Sequence, residues 1–268
     1  MPELVTIPFA SYARSVPLAL DLLDAGPVLA KQQAVLVKPN LVNASAYPVT
    51  TPVDFCESVI LCLRRYTAAD IVVAEGTGDA GLETPEVFER LGYTAMARRT
   101  GVELVDLNHA PLKTLSNPTC KVFPEIHLPE IAFTHFIVSL PVLKAHSLSG
   151  ITGTLKNMIG FAPPAYYGGS GGWKKSAFHA RMHEAISDLN RYRTPDLTLL
   201  DAGIGLAEYH LGGPVCVPPP EQIIAGFNGR EVDRIAAGLL GIDPDTIPHL
   251  VDTSGGQWVS FWQANPSD

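Results

Sequence analysis

The chain has 268 residues, with 19 Lys or Arg against 27 Asp or Glu and a formal net charge of −8. Apolar residues make up 46% of it and charged residues 17%, a composition that excludes an intrinsically disordered chain and a coiled coil. An acidic chain without a Lys/Arg run lacks the electrostatic footprint of a nucleic-acid-binding protein. We therefore expect no nucleic-acid partner.

The four cysteines, Cys56, Cys62, Cys120 and Cys216, show no C-x-x-C spacing. Zinc-ribbon and ferredoxin patterns need that spacing, so no iron–sulfur cluster is expected. The first ten residues lack a basic segment followed by a long apolar stretch, and the longest apolar patch, residues 136–143, is too short to span a bilayer. We therefore predict a cytoplasmic protein with reduced thiols and no membrane partner.

Short apolar runs alternate along the chain with amphipathic segments, the pattern of an α/β protein whose mostly parallel sheet carries helices on both faces. The predicted strands are residues 34–37, 71–74, 102–105, 136–140, 197–200 and 222–225. Residues 107–133 are richer in Pro, Asn and Thr and are interpreted as a small inserted hairpin subdomain. Since no repeat or linker divides the chain, we expect a single Rossmann-like α/β domain over residues 1–268.

Three positions combine a capping side chain with a following proline, which predicts helix starts at Thr51, Thr84 and Asp243. Residues 178–192 carry apolar side chains three and four positions apart, which predicts a helix with one buried face. The segment between this helix and the strand ending at residue 140 is polar and rich in Gly and Pro. Loops of that length are often functional, and we interpret residues 166–175 as a mobile lid.

Polar side chains follow several predicted strands at the point where each strand ends. The carboxyl ends of parallel strands meet at one edge of a sheet, where ligands bind. Lysines that converge there form a positive site for a carboxylate or a phosphate, and they lower one another's pKa. The alternative is a surface loop with incidental lysines. The candidate residues are Lys38, Asn40, Lys144, His146, Thr152, Lys156 and Asn157.

The stretch GTGDAG at residues 76–81 follows a predicted strand and matches a dinucleotide-binding pattern. The helix start, however, is predicted only at Thr84, and the carboxylate of Glu75 directly before the glycines would repel a phosphate. We therefore favour a strand-end loop that presents Glu75 and Asp79. A nucleotide-dependent oxidoreductase stays the third functional alternative.

Two further acids lie at the ends of predicted elements. Asp201 closes the predicted strand 197–200 before Ala-Gly-Ile-Gly, which predicts a tight turn. Strand-terminal acids contact ligands in some sheets and cap loops or helices in others, and we count Asp201 among the substrate-binding candidates. Asp233, early in a predicted helix, is interpreted as a helix-terminus residue.

His179 and His183 are four residues apart, so a helix would place both on one side, where they could share a metal or a substrate. No carboxylate lies between them, which excludes the H-E-x-x-H chemistry of zinc proteases. Proton transfer is favoured over metal binding. The alternative is a pair of helix-boundary histidines that bind water or backbone groups.

Several short motifs, taken in order, resemble the family called domain of unknown function 362 over residues 34–250. They are KPN at 38–40, Thr-Thr-Pro at 50–52, the acidic loop 75–78, LPVLKAH at 140–146, TGTLKN at 152–157, the histidines at 179 and 183, LLDAGIG at 199–205, Gly-Gly-Pro at 212–214 and VDRIAA at 232–237. Members often carry a ferredoxin-like module with iron–sulfur clusters. The cysteines here do not match such a module, so the resemblance implies no electron transfer.

The chain is also similar, more distantly, to the nickel-pincer lactate racemase family. The similarity lies in the order of three features: a Lys-x-His motif, a glycine loop that contains a lysine, and a later histidine. In that resemblance His146, Lys156 and His179 or His183 are the matching positions. The glycine pattern departs from that family and its full N-terminal motif is absent, so the nickel cofactor is not carried over. What the resemblance implies is proton transfer at an activated carbon.

We therefore expect a small-molecule enzyme of the isomerase, racemase or lyase type that binds an anionic metabolite and moves protons at an activated carbon. The expected catalytic residues are His146, His179, His183 and Lys156, and the expected substrate-binding residues are Lys38, Asn40, Glu75, Lys144, Thr152, Asn157 and Asp201. The alternative is a non-catalytic carrier for an anionic metabolite or a metal. The sequence assigns no cofactor, and it leaves open a divalent metal at His179 and His183 and a homo-oligomer.

Overall fold

The computed structural model describes residues 2–169 and 173–252. Within these ranges the chain forms a large sheet and a separate two-stranded hairpin. The strands are Leu4–Pro8 (β1), Ala34–Pro39 (β2), Asp70–Glu75 (β3), Glu103–Asp106 (β4), Leu112–Ser116 (β5), Glu125–Pro129 (β6), Phe136–Leu140 (β7), Val142–His146 (β8), Gly150–Thr152 (β9), Leu197–Leu206 (β10) and Gln222–Gly226 (β11).

The large sheet has the strand order β1-β11-β10-β7-β2-β3-β4. Strands β10, β7, β2, β3 and β4 run parallel, whereas β11 pairs antiparallel with both β10 and the edge strand β1. From β2 the chain proceeds to β3 and β4 on one side and returns to β7 on the other. Such a reversal opens a crevice at the carboxyl ends of the strands. The mostly parallel sheet and the β5–β6 hairpin within residues 107–133 confirm the predicted architecture.

Helices cover both faces of the sheet. They are Tyr12–Leu22 (α1), Gly26–Leu29 (α2), Val53–Leu63 (α3), Thr84–Arg90 (α4), Tyr93–Thr100 (α5), Thr154–Asn157 (α6), Pro164–Tyr167 (α7), Met182–Tyr192 (α8), Gly229–Leu239 (α9) and Pro248–Val251 (α10). Short 3-10 turns span Glu130–Phe133, Met158–Phe161, Ser176–Phe178 and Pro244–Thr246.

Alternate residues of the strands enter two separate cores. In β2, Val35 and Val37 pack with the helices α1, α3 and α5, whereas Leu36 packs on the opposite face with α8 and α9. All three side chains are fully buried. Because both faces are covered, these strands read as continuous apolar runs, which is why the sequence reveals them.

Of the three predicted capping residues, only Asp243 caps the turn that follows it. Helix α3 begins at Val53, and the hydroxyl of Thr51 donates a hydrogen bond to the carbonyl of Leu140 at 2.6 Å instead of capping the helix. Helix α4 is capped by Glu83, one residue before the predicted Thr84, through a reciprocal capping box. Asp243 does cap, but only the short 3-10 turn that follows it.

Two further predictions about local structure are wrong. The helix predicted over residues 178–192 begins at Met182, after a separate 3-10 turn. The tight turn predicted after Asp201 is absent, and strand β10 continues to Leu206. The strand continues because it has partners on both sides, with Ala202 opposite Gln222 of β11 and Leu206 opposite Lys144 of β8.

Among the described residues, no helix is both long and apolar enough to cross a membrane.

Candidate functional site

A cavity of about 300 Å³ opens at the carboxyl ends of β2, β3, β8 and β10. Its lining contains most of the residues that the sequence selected, namely Asn40, Glu75, Lys144, His146, Thr152, Lys156, Asn157 and His179. Lys38, His183 and Asp201 are not part of the lining. Lys144, Lys156, Asn40 and Asn157 thus lie together as their positions near strand ends predicted. Lys38 and Asp201, also at strand ends, and His183, selected from helical spacing, instead contact other side chains.

The floor of the cavity rests on a buried ion pair. The ammonium of Lys38 lies 2.8 Å from both carboxylate oxygens of Glu75, and neither residue is more than 2% exposed. The backbone amides of Leu41 and Gly76 also donate to this carboxylate. Burial lowers the pKa of Lys38, and the charge of Glu75 opposes that effect. Lys38 therefore neutralises Glu75 and does not itself face the cavity.

The turn Met158–Phe161 lies directly on this ion pair. A Cβ atom at Gly160 would overlap the carboxylate of Glu75 and the ammonium of Lys38, so only glycine permits this approach. The side chain of Asn157, just before the turn, donates to the hydroxyl of Ser139 at 3.0 Å and accepts from Lys38 at 3.3 Å. Asn157 thus bridges β2 and β7 where the strand order reverses.

Helix α6, which carries Lys156 and Asn157, is fixed from outside its own segment. The carboxylate of Asp233 on α9 accepts hydrogen bonds from the backbone amides of Thr154 at 2.6 Å and Leu155 at 3.0 Å. Complete burial raises the pKa of Asp233 to about 6, against the effect of these two amides. Asp233 is a helix-terminus residue, as its position predicted, but it caps a helix distant in sequence.

Three lysines line the cavity, and one of them was not predicted. Lys144 donates to the side-chain oxygen of Asn40 and to the carbonyl of Val49, both at 2.6 Å. Lys175, which the sequence placed only in a lid, donates to the carbonyl of Gly160 at 2.7 Å. The half-buried Lys156 forms no hydrogen bond or ion pair with any residue in the described ranges.

Burial lowers the pKa of all three cavity lysines. It brings Lys144 to about 7, where the charge of Lys156 adds to the effect, and Lys156 itself to about 8. Burial also brings the pKa of Lys175 to about 7. The cavity therefore holds amines that gain or lose a proton close to neutral pH.

The imidazole of His146 is fixed by the backbone. Its Nδ1 accepts hydrogen bonds from the amides of Leu148 at 3.0 Å and Ser149 at 3.3 Å. With Nδ1 occupied as an acceptor, the neutral ring carries its proton on Nε2. Burial and then the charge of Lys156 hold the pKa of His146 far below its usual range. His146 is thus a neutral hydrogen-bond donor.

His210 also lines the cavity, together with His146 and His179, and the sequence does not predict a role for it. Its ring centroid lies 3.9 Å from that of His146. Burial, followed by the charges of Lys156 and Lys144, lowers its pKa to about 3. The only signal available was its position two residues before the Gly-Gly-Pro motif.

His179 and His183 do not share a helix face, because α8 begins only at Met182. His179 is exposed and lines the cavity, and burial followed by the charge of Lys156 lowers its pKa. His183 lies outside the lining, with its Nδ1 at 2.8 Å from Nδ1 of His249. The helix face expected to bring His179 and His183 together is therefore not formed, and their joint binding of a substrate or a metal stays a prediction.

Asp201 is fully buried and has protein partners. Its carboxylate accepts hydrogen bonds from the hydroxyls of Tyr12 at 2.7 Å and Tyr47 at 3.3 Å, and from the amide of Gly203 at 2.8 Å. Burial raises its pKa, whereas these three donors lower it. Asp201 connects β10 with helix α1 and the segment after β2 and does not face the cavity.

The glycine-rich loop 76–81 forms one wall of the cavity through Gly76 and Gly78. The segment 173–175 is attached to it, since the amide of Lys174 donates to the carbonyl of Gly78 at 3.0 Å and its ammonium lies 2.7 Å from the carboxylate of Glu83. The hydrogen bond from Lys174 is the main cause that lowers the pKa of Glu83. Residues 170–172 of the predicted lid lie outside the described residues.

These features define an α/β protein with a polar cavity at the carboxyl ends of a mostly parallel sheet. The family model described as Domain of unknown function (DUF362) matches residues 35–238, most of the chain, and the chain belongs to this family.

A crystal structure of a protein from Thermotoga maritima has the same fold, with a TM-score of 0.51 at 16% sequence identity. The match covers 88% of this chain and 60% of that protein, so the chain spans about 60% of the length of its structural relative. No curated protein matches the chain. The similarity to lactate racemases stays a prediction.

We expect Gly160→Ala to destabilise the protein by about 1–3 kcal/mol, because the new methyl group must displace the buried ion pair. The matched control is Gly238→Ala, in helix α9, where an added Cβ meets nothing within 4 Å and a gain of about 0.5–1 kcal/mol is expected. Urea unfolding followed by circular dichroism measures both. A Gly160→Ala protein as stable as the parent would contradict the proposed close contact.

Lys38→Met should cost about 3–5 kcal/mol, because it leaves the carboxylate of Glu75 buried without its cation. The double variant Lys38→Met/Glu75→Gln removes both charges and should recover a large part of the loss. Free energies of unfolding for the two single variants and the double variant complete the cycle. Strictly additive losses would show that the pair contributes no coupling.

Proposed function

We propose that this chain is an enzyme that binds a small anionic metabolite and moves a proton at an activated carbon of that metabolite. The observation that carries the proposal is the presence of three lysines in one cavity, with Lys156 unpartnered among the described residues. The reaction class is the one predicted from the sequence, proton transfer at an activated carbon. The roles of the individual residues differ from those predicted and are derived below.

The charge balance of the cavity favours an anion. Glu75 is the only carboxylate in its described lining, and Lys38 already neutralises it. The charges of Lys144, Lys156 and Lys175 are therefore uncompensated, and their low pKa values express the cost of charging them there. A bound carboxylate or phosphate would supply the missing negative charge and favour the protonated form of Lys156 and Lys175, while Lys144 stays a neutral amine.

Lys144 is the best-placed base. Its unprotonated amine can keep both hydrogen bonds, to Asn40 and to Val49, and still hold a lone pair that accepts a proton. A pKa of about 7 suits proton transfer near neutral pH. Lys156, which has no protein partner in the described ranges, would hold the anionic group of the substrate.

His146 would act as a neutral electrophile. Its Nδ1 is occupied by two backbone amides, so it is not available to take up a proton from substrate. Its Nε2–H can donate a hydrogen bond to the substrate oxygen that gains negative charge when the neighbouring carbon loses its proton. A neutral imidazole in this role needs a low pKa, and burial beside Lys156 provides it.

Binding of the anion should take up protons. At pH 8 Lys156, with a pKa of about 8, and Lys175, with a pKa of about 7, are half protonated or less, and a bound anion raises both pKa values. We expect an uptake of about one to two protons at pH 8, and little at pH 6, where the lysines are already protonated. Affinity should therefore fall as pH rises through 8.

Calorimetric titration with phosphate and with small carboxylic acids, in two buffers of different ionisation enthalpy, measures this uptake. Lys156→Met should weaken binding at least tenfold and reduce the number of protons taken up. Lys121→Met, at an exposed lysine outside the lining, is the matched control and should change neither. Binding without proton uptake at pH 8 would contradict the proposed state of the lysines.

Catalysis is tested by the exchange of carbon-bound hydrogen for deuterium in a panel of hydroxy, oxo and amino acids, followed by NMR. Lys144→Met should slow exchange by about 100-fold or more, and His146→Gln by a comparable factor, while affinity changes by about tenfold or less. If the protein binds anions with proton uptake but exchanges no carbon-bound hydrogen in any of them, it is a carrier and the enzymatic proposal fails.

A further inference from the structure

The described part of the cavity has a charged end and an apolar end. Two of the three lysines lie deep, with Lys144 1% exposed and Lys175 5%, and so does the neutral His146 at 6%, whereas Lys156 is half-buried. At the opening, Leu148 is 50% exposed and Tyr209 47% exposed, although both also line the cavity. Buried amines therefore lie deep and exposed apolar side chains lie at the opening, while the apolar Phe178 and Met182 are buried parts of the same lining.

A continuous series of rings connects the two ends. The rings of His146 and His210 lie 3.9 Å apart, and those of His210 and Tyr209 lie 4.9 Å apart. Both histidines are neutral, so their faces present apolar surface along the wall. On the segments from β2 and from 173–175, Val42 and Trp173 pack near Gly78 and add a second apolar wall.

The loop that carries Tyr209 and His210 has a closed base. The amide of Ala207 donates to the carbonyl of Pro214 at 2.9 Å, and the amide of Cys216 donates to the carbonyl of Gly205 at 3.2 Å. The exposed Tyr209 thus projects from a loop held by backbone hydrogen bonds. Apolar groups presented in this way beside a polar site are a feature of ligand-binding clefts.

The size of the cavity argues against a very small ligand. A volume of about 300 Å³ lies at the lower end of the range of about 300–1,000 Å³ that is usual for pockets holding drug-sized ligands. A three-carbon hydroxy acid at the lysines would leave the apolar walls in contact with water. A larger ligand with an apolar body would fill the space and bury Leu148 and Tyr209.

We propose that the ligand is an amphiphilic organic anion, with a carboxylate or phosphate group at Lys156 and an aliphatic or aromatic body that packs against Leu148, Tyr209 and Trp173. This inference rests on the proposed function for the anionic group and adds the chemistry of the remainder of the ligand. Given the volume of the cavity, we expect the apolar body of the ligand to contain about six carbons or more.

The test is the affinity of a series of straight-chain carboxylates from two to ten carbons, with inorganic phosphate and hexyl phosphate as a second pair. For the parent protein we expect affinity to rise by about two- to fourfold per methylene up to about six to eight carbons. The primary amides of the same acids should bind at least tenfold more weakly. The ratio of the affinity for hexyl phosphate to the affinity for hexanoate shows which of the two anionic groups the site prefers.

Leu148→Ser and Tyr209→Ser should flatten the dependence on chain length and leave the affinity for acetate within about twofold. The matched control is Val217→Ser, because Val217 is 89% exposed and does not line the cavity. It should keep the chain-length dependence of the parent. Thermal unfolding of each variant without ligand verifies that the fold is retained.

The outcomes separate the two proposals. If acetate and phosphate bind with proton uptake but a longer chain adds nothing, the amphiphilic ligand is overturned and the anion site stands. If the amides bind as well as the acids, with the same chain-length dependence, the anion site is overturned and the apolar subsite alone remains. Serine variants that keep the full dependence would remove Leu148 and Tyr209 from the subsite.

Discussion

The ion pair of Lys38 and Glu75 is the constraint on which the cavity depends. The two residues lie at the carboxyl ends of the paired strands β2 and β3, where Val37 lies opposite Val73, and both are removed from water. The desolvation of two buried charges is costly, and here it is offset by short contacts to both carboxylate oxygens and by backbone donors from Leu41 and Gly76. Because residue 160 is a glycine, the turn Met158–Phe161 can pack directly on this ion pair.

This pair also decides the electrostatic character of the cavity. Because Lys38 cancels the charge of Glu75, the remaining lysines of the described lining face no carboxylate of their own. A chain with a net charge of −8 therefore contains a buried region of positive potential. Low-dielectric walls strengthen such a local field, so an anion can be attracted to the site although the whole protein repels it.

The sequence predicts the sheet and the edge that carries the site, because buried parallel strands are continuous apolar runs and their carboxyl ends converge. It therefore places Asn40, Lys144 and His146 together correctly. It does not reveal which partner a buried side chain selects. Lys38 turns to Glu75, Asp233 caps a helix 79 residues earlier in sequence, and His183 pairs with His249 across 66 residues. Such partners are fixed by tertiary packing, and no local pattern encodes them.

His146 shows how a few backbone contacts determine which chemistry a residue can perform. From its sequence position alone it was a candidate acid or base. Two amides at Nδ1 and the nearby Lys156 keep its ring neutral, with a proton on Nε2. The same neutral ring can donate a hydrogen bond at its edge and present an apolar face towards His210. The polar and the apolar parts of the cavity therefore meet at one residue, so a ligand that satisfies both must join an anionic group to an apolar body at that depth.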